Sequence, residues 1–294
     1  MEKEHKGKNK IWLLLAVIFA SVALISAGML IGNKLIEIRA SKALEDLTEQ
    51  TNDIESSVET DTAISEETGE TEEAEIKKPW SEYTLDEKYQ AYYDTYGIEV
   101  PRKNIDFDDL KANTNADIYA WLYVPGTNVD YPVVQHPTDD SYYLDYNLDG
   151  SKGYPGGTYT ELCNSKDFSD RLTVIYGHYL KNGKAFGSLH NFEDETVFEE
   201  NRYIYVYTPD DILVYEIFTA REASDVHLIK GYEWDDESWV EYLNEALKAS
   251  AKDDHSIASY DFDADDKVLT LSTCMRNAPS KRYLVQGVLL DEAR

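Results

Sequence analysis

Lys267-Val268-Leu269-Thr270-Leu271-Ser272-Thr273-Cys274, followed after Met275 to Lys281 by Arg282-Tyr283-Leu284-Val285-Gln286-Gly287-Val288-Leu289-Leu290, is the stretch that decides the fold. Each run is short, apolar and rich in residues that suit a pleated surface, so each reads as a β-strand. Paired antiparallel, the two strands bring Cys274 and Arg282 to the same end. A thiol and a fixed positive charge at one strand end, with an imidazole supplied by Tyr176-Gly177-His178 upstream, are the parts needed to cleave an amide through a thioester.

Outward from this pair, strand-like runs recur at Tyr119 to Val124, Val129 to Val134, Thr158 to Leu162, Leu172 to Tyr176, Tyr203 to Tyr207 and Ile212 to Ala220, with Gly, Pro, Asn or Asp between many of them. With the C-terminal pair they make eight. Eight short strands in about 170 residues suit a closed barrel, which leaves no edge exposed. Pro209-Asp210-Asp211 supplies turn chemistry for a hairpin between the fifth and sixth. Between the sixth and seventh, Asp235 to Ala251 carries Trp239, Tyr242, Leu243, Ala246 and Leu247 at helical spacing, which predicts one long amphipathic helix. Ahead of the strands, Thr84 to Tyr96 reads as a helix with Thr84 and Glu87 as a capping box and Gly97 as its stop, and Asp106 to Lys111 as a second short helix. The fold class expected is mainly β, a closed eight-stranded barrel with N-terminal helices.

The N-terminal quarter has a different character. Residues 1–10 carry Lys3, Lys6, Lys8 and Lys10, and Ile11 to Gly32 has no charge. At 1.5 Å per residue that run spans about 33 Å, enough to cross a bilayer core. The lysines ahead of it place the amino terminus in the cytoplasm and the remainder outside; Lys34, Arg39 and Lys42 on the far side oppose that bias. The run is longer than the 7 to 15 apolar residues usual in a cleaved signal peptide, so a single-pass anchor over 11–32 is expected. Ala43 to Ile76 holds thirteen Asp or Glu and no Lys or Arg, which predicts an acidic, disordered stalk over 33–79; a helix continuing from the membrane through Leu35, Ile38, Leu44 and Leu47 to about Gln50 is the other reading. The catalytic domain then occupies 80–294, with a helical flank at 80–115 and the barrel at 116–294.

Residues 77–294 hold 41 Asp or Glu against 21 Lys or Arg. This is no footprint for nucleic acid, and nucleic-acid binding is set aside. The two cysteines, Cys163 and Cys274, are both expected free, since a nucleophilic thiol cannot be tied up, and Cys163 is expected as a small buried hydrophobe in the third strand. His136, His190, His227 and His255 stand beside no strand-end motif. Asp261 to Asp266 opens like a calcium loop but has Asp266 where the turn needs Gly and Ser272 where it needs Glu, so no metal is expected.

Thr-Leu-Ser-Thr-Cys at 270–274, Arg282 opening the next strand, and Tyr-Gly-His at 176–178 resemble a sortase, the membrane-anchored cysteine transpeptidases of Gram-positive bacteria. Ile118 to Thr127, Val129 to Gln135 and Tyr142-Tyr143-Leu144 resemble class B in order and spacing. The resemblance covers Trp80 to the C-terminus. It implies the eight-stranded sortase barrel with its long helix between strands six and seven, no cofactor, and the roles Cys274 as nucleophile, His178 as general acid and base, and Arg282 as donor to the oxyanion or substrate backbone. Ser272 and Thr273 are substrate-binding candidates. It further implies a secreted partner bearing an Asn-Pro-x-Thr-x-like C-terminal sorting signal, and an amine acceptor on a peptidoglycan precursor or a pilin lysine. Two features depart from the class: Tyr179-Leu180 stands where Asn-Met commonly follows the His, and Glu161-Leu162-Cys163-Asn164 where Asp-Tyr-Arg-Asn is common.

A free thiol is about 3% thiolate at pH 7 and a free imidazole about 24% protonated. Independent titration would leave under about 1% of molecules with both charges. Singly, each residue has an ordinary explanation: a strand-end Cys is buried and inert, a His after Gly is a turn residue, and an Arg opening a strand pairs with a surface carboxylate. A cell-wall cysteine peptidase that releases the thioester to water, and a non-catalytic binding domain on a stalk, are the alternative functions.

Overall fold

The change from helical to two-residue periodicity near residue 116 is where the chain passes from helices to sheet. The computed structural model describes residues 2–52, 78–231, 235–248, 251–275 and 278–291. In chain order the elements are α1 (Glu2–Asn52), α2 (Leu85–Tyr96), α3 (Phe107–Asn113), β1 (Ile118–Val124), β2 (Val129–Val134), α4 (Tyr142–Asp145), β3 (Thr158–Tyr159), β4 (Leu172–Tyr176), α5 (Glu195–Glu200), β5 (Tyr203–Tyr207), β6 (Ile212–Ser224), α6 (Asp236–Ala246), β7 (His255–Ser256), β8 (Val268–Met275) and β9 (Ala278–Leu289). Single-turn 3-10 segments lie at Trp80–Glu82 and, two turns long, at Phe186–Glu193.

The strands run β1-β2-β3-β4-β8-β9-β6-β5 and close through β5 back onto β1, so the eight expected strands form a closed barrel. The two-residue β7 pairs on β6 as a ninth, outside the closure. β2 with β3 and β4 with β8 are parallel; the other pairs are antiparallel. Inward residues such as Leu122, Val129, Leu269, Leu271 and Val285 fill the barrel. β6 is longer than its sequence suggests, and its extension to Ser224 pairs with Lys281 and Arg282. That pairing draws Ala278 to Lys281 into β9, so the link between β8 and β9 is shorter than the expected Met275 to Lys281.

Outer faces are covered by helices. α2 begins with the reciprocal Thr84–Glu87 box and stops at Gly97, whose φ of 71° is left-handed. Its Tyr92 is fully buried and donates to the Ile212 carbonyl oxygen at 3.2 Å. Asp235 caps α6 by accepting from Ser238 N. α6 sets Trp239 and Leu243, both wholly buried, on Val268, Leu284 and Val288 of β8 and β9, each burial stabilising by roughly 1.5–3 kcal/mol. It ends at Ala246 and not at 251, because the apolar spacing runs out at Leu247.

The acidic stalk expected from residue 33 is corrected by α1, which continues to Asn52. Ala40, Leu44, Leu47 and Thr51 fall on one side of the helix; Ala40 and Thr51 are buried, and Leu44 and Leu47 pack against the two main core clusters. Thr48 donates to the Asp130 carbonyl oxygen at 2.7 Å, Asn104 N donates to the Thr51 carbonyl oxygen at 3.0 Å, and Lys184 pairs with Glu45 at 2.6 Å. One narrow apolar stripe is enough to dock a helix however acidic its other faces. The rest of the stalk, 53–77, lies outside the described residues. Over Ser21–Asn52 the helix is long and apolar enough, by length and composition, to cross a membrane.

Candidate active site

Three neighbouring strands, β4, β8 and β9, carry the three predicted residues. In the β8–β9 ladder Cys274 stands directly opposite Arg282. In the parallel β4–β8 ladder Tyr176 is level with Ser272, and Gly177 N extends the pairing to the Ser272 carbonyl oxygen at 3.1 Å. His178 follows two residues beyond the end of β4, and Cys274 two residues beyond Ser272 on β8. Side chains alternate along a strand, which puts Cys274 on the face of Ser272 and Arg282 on the face of Leu284. That face is the outer one, since Leu284 packs under α6. All three residues line one cleft of ≈ 220 Å³.

The cleft's rims come from elsewhere in the chain. The crossover between β2 and β3 steadies the imidazole: His178 Nε2 donates to the Leu144 carbonyl oxygen at 2.6 Å, and the ring meets Tyr154 edge-on with centroids 4.8 Å apart. Gly156, with φ of 71°, passes so close that a Cβ there would sit 2.8 Å from His178 Cδ2. Arg282 Nη1 donates to the Lys281 carbonyl oxygen at 3.0 Å.

Tyr159 and Tyr176 stack with centroids 5.5 Å apart and line the cleft. Burial, and next the Glu161 carboxylate, push both phenols well above the ordinary tyrosine range, so they stay neutral hydrogen-bond donors. Glu161, itself in the cleft wall, accepts from His227 Nε2 at 2.8 Å and from Lys230 Nζ at 2.8 Å, while Lys230 also reaches Asp140 at 3.1 Å. These contacts tie the segment after β6 to the turn after β3. The bonds to Glu161 and then Asp140 raise the Lys230 ammonium above its usual range.

Ser272 lies on the cleft face as expected. Thr273 also borders the cleft, although alternation turns its side chain inward, where it is 2% exposed and its hydroxyl has no hydrogen-bond partner among the described residues. Cys163 is exposed and not a buried hydrophobe, because β3 ends at Tyr159 and the chain turns at the surface. Its thiol is pushed up, first by partial burial and then by Glu161. Both cysteines are free. Among the described residues no group of three or more His, Cys, Asp or Glu is placed to hold a metal ion.

Sequence reasoning passed over Tyr159, Glu161, His227 and His190. The first lies inside a recognised strand run, where a cleft tyrosine looks like any strand tyrosine. His190, in the 3-10 turns, has no motif around it, yet its Nε2 lies 3.2 Å from the carbonyl oxygen of Cys274.

A sequence model of the sortase domain family matches residues 122–290. The sortase B of Listeria monocytogenes is 28% identical over 195 residues, 63% of this chain and 75% of that protein. Among solved structures, Clostridium perfringens sortase B superposes with a TM-score of 0.56 at 30% identity, covering 63% of this chain and all of that one. A Streptococcus pyogenes class B sortase involved in pilus biogenesis superposes with a TM-score of 0.54 at 25% identity, over 63% of this chain and 98% of that one. With a closed barrel, a cysteine facing an arginine across its last strand pair and these relatives, the chain belongs to the sortase family and, within it, to class B.

Proposed function

We propose that the chain is a cysteine transpeptidase, anchored by a single span over 11–32 with its amino terminus in the cytoplasm, whose domain from residue 80 acts outside the cell. It cleaves a C-terminal sorting signal of Asn-Pro-x-Thr-x type on a secreted protein and passes the new carboxyl to an amine. The observation that carries this reading is the cross-strand pair Cys274 and Arg282 lining one cleft with His178.

Cys274 Sγ passes its proton to His178 and attacks the scissile carbonyl, forming a C–S bond and an oxyanion. Arg282, permanently charged, donates to that oxyanion or to the adjoining substrate backbone. A carbonyl only accepts, so His178 Nε2, bonded to the Leu144 oxygen, keeps its hydrogen and Nδ1 is the nitrogen that exchanges protons. Nδ1–H protonates the leaving amine as the C–N bond breaks. An amine nucleophile then forms a new C–N bond at the thioester carbonyl, its proton returns to Nδ1, and the C–S bond breaks to release Cys274 Sγ, which takes that proton back. The acceptor is an amine of a peptidoglycan precursor or a pilin lysine; the relative involved in pilus biogenesis favours keeping the second. The Tyr159 and Tyr176 hydroxyls and Ser272 supply neutral donors along the same groove.

Intact-mass spectrometry of the full chain in detergent micelles, incubated with a panel of sorting peptides, tests this. A covalent acyl adduct on Cys274, absent from Cys274→Ala, is expected. Undiminished peptide cleavage by Cys274→Ala would refute it.

A further inference from the structure

One buried side chain touches the immediate surroundings of all three cleft residues. His190, whose side chain is 3% exposed, approaches from the 3-10 turns Phe186–Glu193. Its Nε2 is 3.2 Å from the Cys274 carbonyl oxygen. Its ring stacks on Tyr283, with centroids 4.6 Å apart at 21°, and meets Tyr179 edge-on at 5.1 Å. Tyr283 follows Arg282 in the chain, and Tyr179 follows His178. On the far side of the ring, Nδ1 bonds the Glu193 carboxylate.

The stereochemistry of these contacts is restrictive. A peptide oxygen only accepts and an ionised carboxylate only accepts. Nε2 therefore carries the hydrogen of the bond to the Cys274 oxygen, while Nδ1 faces the Glu193 side chain, which fixes the ring's orientation. The contact also falls where the sheet is weakest as a guide, because the β8–β9 register slips between Cys274 and Met275. The ladder alone does not fix the peptide that follows the thiol.

We infer that His190, oriented by Glu193, is a positioning residue for Cys274: its Nε2–H holds the Cys274–Met275 peptide, and with it the direction of Sγ. Its ring, wedged between Tyr283 and Tyr179, ties that setting to the strand ends that bear Arg282 and His178. Orientation of a reacting group is worth large factors, and a misplacement of about 1 Å costs on the order of 100-fold. The inference rests on Cys274 being the nucleophile.

The test measures the alkylation rate of Cys274 by iodoacetamide in the full chain in detergent, resolved by peptide mass spectrometry so that Cys163 serves as an internal reference. His190→Phe keeps the ring stack and removes the N–H, while His190→Gln keeps a donor near the position of Nε2. His190→Phe is expected to slow Cys274 about fivefold or more with Cys163 unchanged, since the peptide that carries Sγ loses the donor that orients it. His190→Gln is expected to return within about twofold of the parent rate, and turnover of sorting peptide to follow the same order with KM held. A Cys274 rate unmoved by His190→Phe overturns the inference, as does a loss that His190→Gln fails to restore. Should His190→Phe not fold, Glu193→Gln takes its place: slowing of Cys274 alone supports the assignment, and no change overturns it. Alkylation needs no sorting peptide, so a shifted Cys274 rate in a chain that cleaves none of the peptides supports His190 and refutes the proposed substrate instead.

Discussion

Replacing Gly156 by Ala probes the site through a residue that does no chemistry. Gly156 has φ of 71°, and an added Cβ would sit 2.8 Å from His178 Cδ2 and 2.9 Å from the Tyr143 carbonyl oxygen. Two costs follow. The left-handed backbone costs an L-residue roughly 1–2 kcal/mol, which for a domain of this size lowers Tm by about 2–8 °C. The clash is separate: the His178 ring must move by several tenths of an ångström, away from the Leu144 carbonyl that holds its Nε2. Displacement on that scale costs roughly 10- to 100-fold in turnover. Gly150 provides the control, because its φ is 77° while nothing lies within 4 Å of its would-be Cβ. Thermal unfolding and sorting-peptide cleavage of the two variants side by side should therefore give a Tm loss in Gly156→Ala at least as large as in Gly150→Ala, and a loss of activity in Gly156→Ala alone. Equal activity in Gly156→Ala and Gly150→Ala would refute the claim that the β2–β3 crossover aims the imidazole.

Deleting residues 1–52 should lower Tm by about 5 °C or more relative to deleting 1–32, since it removes two half-buried leucines and four hydrogen bonds to the rest of the domain, each worth about 1 kcal/mol before the cost of ordering the helix. Identical melting curves would mean that α1 does not dock on the barrel. Cys163, although exposed, should alkylate more slowly at pH 8 than a free cysteine peptide, because its thiol is pushed up by partial burial and by Glu161. Glu161→Gln should speed it; a slower or unchanged rate would refute the electrostatic part of that account.

Much of the fold was legible because its signals are local. The Thr84–Glu87 box, the stop at Gly97, the Pro209-Asp210-Asp211 hairpin and the Trp239–Leu243 stripe each act within a turn or two, and each appears in the structure. Failures came where a distant partner overrode local composition. The run 158–162 keeps only Thr158–Tyr159 as strand, because β2 and β4 offer it just two or three rungs. The acidic segment after the span is helical to Asn52 because β2 and Lys184 give Thr48 and Glu45 something to hold.

The sequence by itself determined the period of every strand, the end of the chain on which Cys274 and Arg282 must meet, and the span that can lie in a bilayer. Barrel closure alone decided that β4 pairs in parallel with β8, which brings the end of β4, and His178 beyond it, to the cleft that Cys274 lines; no local pattern encodes a pairing between segments about 90 residues apart, since its register is chosen by the side chains that must share one interior. The same closure brought His190 against the Cys274 carbonyl oxygen and Tyr159 into the cleft with Cys274, placements that exist only once the sheet has curved onto itself.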